Sequence, residues 1–191
     1  MDRQIASICR SSLYHLRNIG SVRKYLTDTS AAKLVHSLVT ARLDYCNSLL
    51  FGLPDCKLNR LQRVQNIAAR ILTLSPMSDH ITPILFQLHW LPIRARVLYK
   101  LLLLTYKAYH NLAPSYLCNL VNPYTPSRSL RSGDKMLLET PHTRLKTYGD
   151  RSFSAAAPRE WNKLPLSLRS VQCLDSFKSD LKTYLFRQYY E

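Results

Sequence analysis

Apolar positions recur at three- and four-residue steps from the start of the chain. Ile5, Ile8, Cys9, Leu13, Leu16 and Ile19 share the spacing of one buried helical face, and Gly20 is expected to end that helix. Asp28-Thr29-Ser30 offers side-chain oxygens for the next helix start. From there Ala32, Val35, Leu38, Val39, Leu43, Cys46 and Leu50 continue as one apolar stripe to Gly52. Pro54 suits the beginning of a third helix, where its missing N–H costs nothing. Leu58, Leu61, Val64, Ala68, Ile71 and Leu72 give that helix its apolar face. Residues 1–75 therefore read as a small three-helix bundle.

Thr82-Pro83 reads as a cap and first turn for a short helix through Leu88, and Leu91-Pro92 opens a longer one to about His110. A short segment follows Ala113-Pro114, around residues 116–121. Residues 76–122 thus form a helical region about a central helix near 92–110. Beyond Asn122, Pro123, Pro126, Gly133, Pro141 and Gly149 interrupt the pattern, and helical periodicity is lost until the last stretch. Residues 123–135 read as a linker, and 136–139 are expected to pair with 144–148 as a short β-hairpin. Leu174, Phe177, Leu181, Tyr184 and Leu185 fall on one face of a closing helix, with Asp175 or Ser176 as its cap. The expected fold is mainly α, with a bundle, a helical region and a mixed, loop-rich module over residues 123–191.

With 46% apolar residues in 191, the chain can bury a core, which excludes wholesale disorder. Charge changes the picture more. Against 27 Lys and Arg there are 12 Asp and Glu, a net +15, which points to an acidic partner: nucleic acid, an anionic membrane surface or an acidic protein. The excess is spread, with 12 basic and 5 acidic residues up to Arg94 and 15 and 7 beyond it. On the third helix Arg60, Arg63 and Arg70 lie within about 80° of arc, beside Asn59 and Asn66 and away from the apolar stripe. On the long helix Arg96, Lys100 and Lys107 fall within about 40° on an otherwise apolar cylinder. That helix should be central. A third cluster comprises Arg128, Arg131, Lys135, Arg144, Lys146 and Arg151, interleaved with Ser, Thr and Tyr hydroxyls. A cationic helix face or basic loop is commonly just solvated. Two stripes and a cluster of like charge shift the reading to a surface neutralised by phosphates.

The four glycines make no phosphate-cradling loop. The acids are scattered singly, without the pairs that hold catalytic metal ions, so no catalytic residue is expected. Six His show no metal-site spacing, and neither metal nor cofactor is expected. Ser78-Asp79-His80 reads as helix capping near Thr82 rather than a triad. His89-Trp90 and Trp161 read as packing residues. Five Cys without a C-x-x-C pair read as buried free thiols of a reducing compartment. With no signal-like start and no apolar run near the roughly 20 residues of a membrane span, an intracellular site in nucleus or cytoplasm is expected.

Several phrases are similar to a known family. Leu43-Asp44-Tyr45-Cys46-Asn47-Ser48-Leu49-Leu50-Phe51-Gly52-Leu53-Pro54, then Leu61-Gln62-Arg63-Val64-Gln65-Asn66 and Ala68-Ala69-Arg70, resemble the segment after the polymerase palm in LINE (non-LTR) retrotransposon reverse transcriptases of the jockey-like group. The resemblance continues through Leu88-His89-Trp90-Leu91-Pro92, Tyr106-Lys107-Ala108 and Leu112-Ala113-Pro114-Ser115-Tyr116-Leu117. It takes in Ser127-Arg128-Ser129-Leu130-Arg131-Ser132, Arg144-Leu145-Lys146-Thr147-Tyr148-Gly149-Asp150-Arg151 and Ala157-Pro158-Arg159-Glu160-Trp161-Asn162. What it implies is a truncated element: a thumb over residues 1–75 and the C-terminal region after it, without the palm and its metal-binding acids. In that family the thumb grips the template–primer duplex and the C-terminal region helps hold element RNA or target DNA. The expected function is therefore non-catalytic binding of an RNA–DNA hybrid, RNA or DNA through backbone phosphates. The alternatives are a helical module for an acidic protein partner and a pseudogene product without function.

Overall fold

The computed structural model describes residues 1–125, 135–145 and 147–191, and the chain is mainly helical. Its residues divide into two compact units, Met1–Val97 with Gln188–Glu191 and Leu98–Arg187. The division falls within a helix at Val97, whereas composition put boundaries near residues 75 and 122.

In the first unit α1 (Asp2–Val22) buries Ile5, Ser12, Leu16 and Ile19 and packs along α4 (Asp55–Thr73). The two run in the same direction. Lys57 pairs with Asp2 at one end, and at the other a Cβ on Gly20 would meet Ile71 at an ordinary 3.8 Å. Gly20 therefore does not end α1, which runs on two residues to Val22. Arg23 follows in a 3₁₀ turn, almost wholly buried. Its guanidinium donates to the carbonyls of Ile71 at 3.0 Å and Leu72 at 2.9 Å, to Leu26 at 3.0 Å and to the Asp28 carboxylate. It thus satisfies carbonyls that the end of α4 leaves without intrahelical donors.

The second helix is more broken than its stripe predicts. Thr27, ahead of the expected trio, is the cap, its hydroxyl accepting from the Ser30 N–H at 3.2 Å. α2 (Asp28–Val35) continues through a π turn at His36–Thr40 into α3 (Ala41–Asp44). There the helix stops, because Tyr45 is extended and Cys46 takes a left-handed φ of 51°. Asn47–Leu50 form a separate 3₁₀ turn. A three- and four-residue rhythm survives such a break, since turns as well as helices can point apolar side chains at one core.

α5 (Ile81–Gln87) begins at Ile81 with His80 at its cap position, but no side chain caps it. The helix-capping role read for Asp79-His80 is not seen. At the corner between α5 and α6 (Ile93–Tyr109), His89 has φ 51°, and Trp90 and Leu91 are buried. Gln65 donates to the Leu91 carbonyl at 2.8 Å, while the Ile93 N–H donates to Gln62 at 2.8 Å. Tyr190 donates its hydroxyl proton to the Trp90 carbonyl at 2.6 Å. His36 meets the Trp90 ring edge-on at 5.9 Å. Trp90 takes the packing role read for His89-Trp90, whereas His89 is exposed at this corner.

The second unit takes the rest of α6, then α7 (Ser115–Cys118), α8 (Phe153–Asn162), α9 (Leu166–Arg169) and α10 (Leu174–Tyr190) up to Arg187. Tyr106 stacks on Phe177 at 4.2 Å and donates its hydroxyl proton to the Gln172 carbonyl at 2.7 Å. Trp161 is fully buried beside them, its indole N–H donating to Met136 O at 3.0 Å. It is a core anchor, as read. Helix α8 was not foreseen. Ala155, Ala156 and Ala157 are buried but carry too little hydrophobicity to mark a face, and Pro158 inside the helix lacks the N–H that helix interiors use.

The expected hairpin is not seen among the described residues, and Lys146 of its second side lies outside them. Residues 137–139 pair instead with 122–124: Tyr124 N–H donates to Leu137 O and Glu139 N–H to Asn122 O, both at 2.9 Å, around a Pro123–Leu138 antiparallel bridge. On the opposite edge the Asn162 carboxamide accepts from Leu138 N–H and donates to Leu138 O, each at 2.8 Å. The Leu145 carbonyl instead accepts from Gly149 at 2.8 Å and Asp150 at 3.2 Å, curling residues 147–150 back onto it. A Cβ at Gly149 would come within 2.7 Å of that carbonyl, so the curl requires glycine.

The thiols also differ from expectation. Cys46, Cys56 and Cys173 are exposed, and Cys9 and Cys118 are only partly covered. Cys46 lies at a chain reversal, Cys56 in the first turn of α4 and Cys173 just before α10, positions that face outward despite the residue's usual burial.

Two outcomes follow from these contacts. Arg23→Ala should destabilise the first unit by about 2–3 kcal/mol by leaving the α4 carbonyls unsatisfied, with Arg23→Lys restoring only part because one ammonium cannot reproduce the fork; urea unfolding measures both. In the second unit burial pushes the His110 pKa down from 6.5, and its Nε2 is buried with no hydrogen-bond partner among the described residues. Its folded pKa is below the unfolded one, so its stabilising contribution is full above pH 6.5 and declines as the pH falls through that value toward the lowered one. Amide protection factors in α8, which correct for the intrinsic slowing of exchange at lower pH, should fall as the pH drops through that window in the wild type and less in His110→Phe.

Candidate nucleic-acid interface

The residues singled out by charge are not equivalent once folded. Arg60 and Arg63 are exposed on α4, and neither joins an ion pair among the described residues. Arg60 lies at the seam with α1. It reinforces the lowering of the Asp2 pKa caused chiefly by the Lys57 hydrogen bond, and opposes the upward push of burial on the Cys9 thiol. Arg70 is half-buried and donates to three carbonyls, Pro76 at 3.2 Å, Met77 at 3.3 Å and Asp79 at 2.6 Å. Those bonds tie down the chain after α4, where Leu74 takes a left-handed φ of 54°.

Arg96 is more deeply committed, its side chain only 14% exposed. Its Nε donates to Leu91 O at 3.0 Å, a second nitrogen pairs with Asp44 at 2.9 Å, and the guanidinium lies 5.7 Å from the Trp90 ring centroid. Asn47 donates to the same Asp44 carboxylate at 3.3 Å. Lys100 and Lys107 are half-buried on the part of α6 in the second unit, so the six cations of the two stripes do not make one set.

Of the basic cluster, Arg128, Arg131 and Lys146 lie outside the described residues. Lys135 and Arg144 are exposed and Arg151 is half-buried. The Lys135 backbone carbonyl accepts from buried Arg169, while Asp150 holds Arg159 at 3.1 Å and also accepts from Thr143. This part of the second unit is a scaffold of its own, with cations on its exterior.

Charge reading missed α1. Arg3, Ser7, Arg10, Tyr14, Arg17 and Ser21 recur at alternating steps of four and three, and all six are exposed. At 100° per residue they fall within about 80° of arc, opposite the buried Ile5, Leu16 and Ile19. The same periodicity that marked the apolar stripe would have found them if applied to cations. The first unit's acids do not balance them. Asp2 pairs with Lys57, Asp28 with Arg23, Asp44 with Arg96 and Asp55 with Arg94, which leaves only Asp79 of the five acids before Val97. Arg3, Arg10, Arg17, Arg60 and Arg63 take part in no ion pair among the described residues. Chemically, such a face offers forked donors for phosphate oxygens.

Among the described residues no group of three or more His, Cys, Asp or Glu is placed to hold a metal ion, and no helix is long and apolar enough to cross a membrane. Comparison of the chain with protein-family models, with curated proteins and with solved structures finds no match.

The two kinds of arginine separate in a stability measurement. Arg96→Ala should lower the stability of the first unit by about 1–3 kcal/mol, since it strands Asp44 and one bond to Leu91 O. Arg63→Ala should change it by less than about 0.5 kcal/mol. Denaturant midpoints of the two variants make the comparison.

Proposed function

We propose that the chain binds nucleic acid through backbone phosphates, using the arginines of α1 and α4 as its principal contacts. The observation that carries this reading is the division of labour among charges in the first unit. Four of its six acids are engaged by Lys57, Arg23, Arg96 and Arg94, whereas Arg3, Arg10, Arg17, Arg60 and Arg63 stand exposed and join no ion pair among the described residues. Like charges held on two packed helices repel one another unless a polyanion neutralises them. Contacts of this kind orient the protein on a strand and carry little sequence information.

The reading agrees with the resemblance to the thumb and C-terminal region of LINE reverse transcriptases, from which we further infer a non-catalytic part of a retrotransposon RNA-directed DNA polymerase. Lys100, Lys107 and the exterior cations of the second unit, Lys135 and Arg144 among them, would add secondary contacts. Arg70 and Arg96 contribute by holding the first unit together.

Binding of an RNA–DNA hybrid should weaken roughly several hundredfold as salt rises from about 50 to about 200 mM, as expected for five phosphate contacts. Arg60→Glu with Arg63→Glu should weaken binding at low salt and flatten the slope by about two. A flat salt dependence in the wild type would sink the proposal. Capture of an acidic protein that those reversals abolish, with hybrid binding untouched, would replace it with a protein-interaction role.

A further inference from the structure

We infer that the outer stripe of α1 is a site for single-stranded nucleic acid, in which Tyr14 stacks on an unpaired base while Arg3, Arg10 and Arg17 hold the flanking phosphates. This rests on the reading of the chain as a nucleic-acid binder and narrows it to a strand form and a contact mode.

Phosphate chemistry alone does not account for the stripe. Tyr14 sits four residues after Arg10 and three before Arg17, in the middle of the cationic row, and is 62% exposed. An aromatic side chain left in water forgoes the burial that normally places it in a core. Nothing in the first unit covers its outer face, and its recorded ring contact is an edge-on one with His15, 5.5 Å between centroids at 73°. That contact restrains the ring while leaving it accessible. A duplex keeps its base faces stacked inside and presents mainly phosphates and groove edges, so an exposed ring gains little from it. A single strand presents base faces, and basic surfaces interleaved with aromatic side chains bind such strands without reading their sequence.

The rest of the stripe fits the same occupant. From Arg3 to Ser21 it is about 27 Å long, room for several nucleotides, and its arginines recur about 10 Å apart along the axis. Ser7 is short, so a strand can lie close to the helix between the guanidinium groups of Arg3 and Arg10, and its hydroxyl can donate to a phosphate oxygen. No carboxylate interrupts the row. Asp2, the only acid of α1, is turned to Lys57.

The test is fluorescence anisotropy of the full chain with a labelled oligothymidylate and with a hairpin duplex of similar length. Tyr14→Ala, a change that favours helix and removes no buried contact, should weaken oligothymidylate binding about tenfold. Its salt slope should stay the same, duplex binding should be unchanged, and Tyr14→Phe should behave as wild type. Equal losses on the two probes, or no loss on the single strand, would overturn the inference while leaving phosphate binding intact. Absence of binding to either probe at low salt would overturn both readings. Binding of polyglutamate in place of the oligonucleotides, indifferent to Tyr14→Ala, would do so in favour of an acidic protein partner.

Discussion

The Leu91 carbonyl, buried between two donors, is the contact on which the first unit depends. Gln65 reaches it from α4 and Arg96 from the first turn of α6. Arg96 in turn grips Asp44 at the end of α3. Three helices thereby agree on the position of one peptide group, and the chain direction after Trp90 follows from it. A buried carbonyl of this kind must be satisfied, and the neighbouring Ile93 N–H is satisfied from α4 as well, by Gln62. Phrases that are far apart in the sequence, around residues 43–47, 62–66 and 88–92, meet at this corner. Asp44, Asn47, Gln62 and Gln65 are therefore occupied in building the fold.

That occupation explains why a count of cations overstates the available surface. Arg23, Arg70 and Arg96 are arginines whose forks fill the hydrogen-bonding needs of helix ends and corners, a task suited to a planar five-donor group. Four carboxylates serve as counter-charges for structural cations. What remains on the outside of α1 and α4 is positive because the balancing charge lies elsewhere in the same unit. The electrostatic character of that face is a by-product of how the unit is held together as much as of its composition.

Much of the helical architecture was legible in the sequence, because α1, α4, α6 and α10 each have an apolar face long enough for periodicity to register. Breaks inside a stripe were not. Cys46 and Leu74 adopt left-handed backbone with ordinary side chains, and nothing in their chemistry marks them as turn residues. Helix α8 was obscured by alanines and Pro158. Of residues 136–139, read as one side of a pairing, Met136 is left-handed at φ 49°, and 137–139 do pair but with another partner, since pairing with 122–124 is a long-range choice that local pattern does not encode. For the candidate interface, Arg60 and Arg63 were visible as a cationic face. The engagement of Arg70 and Arg96 was not, because a hydrogen bond to a distant carbonyl leaves no trace in residue spacing.

The Asn162 side chain against Leu138 has a further consequence. Its carboxamide presents one acceptor and one donor in the arrangement of a peptide group, so it occupies the place that a neighbouring strand's backbone would take. The opposite edge of the same segment is already used by residues 122–124. An extended stretch with an unsatisfied edge is a template for adding another chain, the usual start of sheet-mediated aggregation. Here one amide side chain seals that template at Leu138, so the extended part of the second unit is protected against edge-to-edge self-association without a β-sheet having to be built around it.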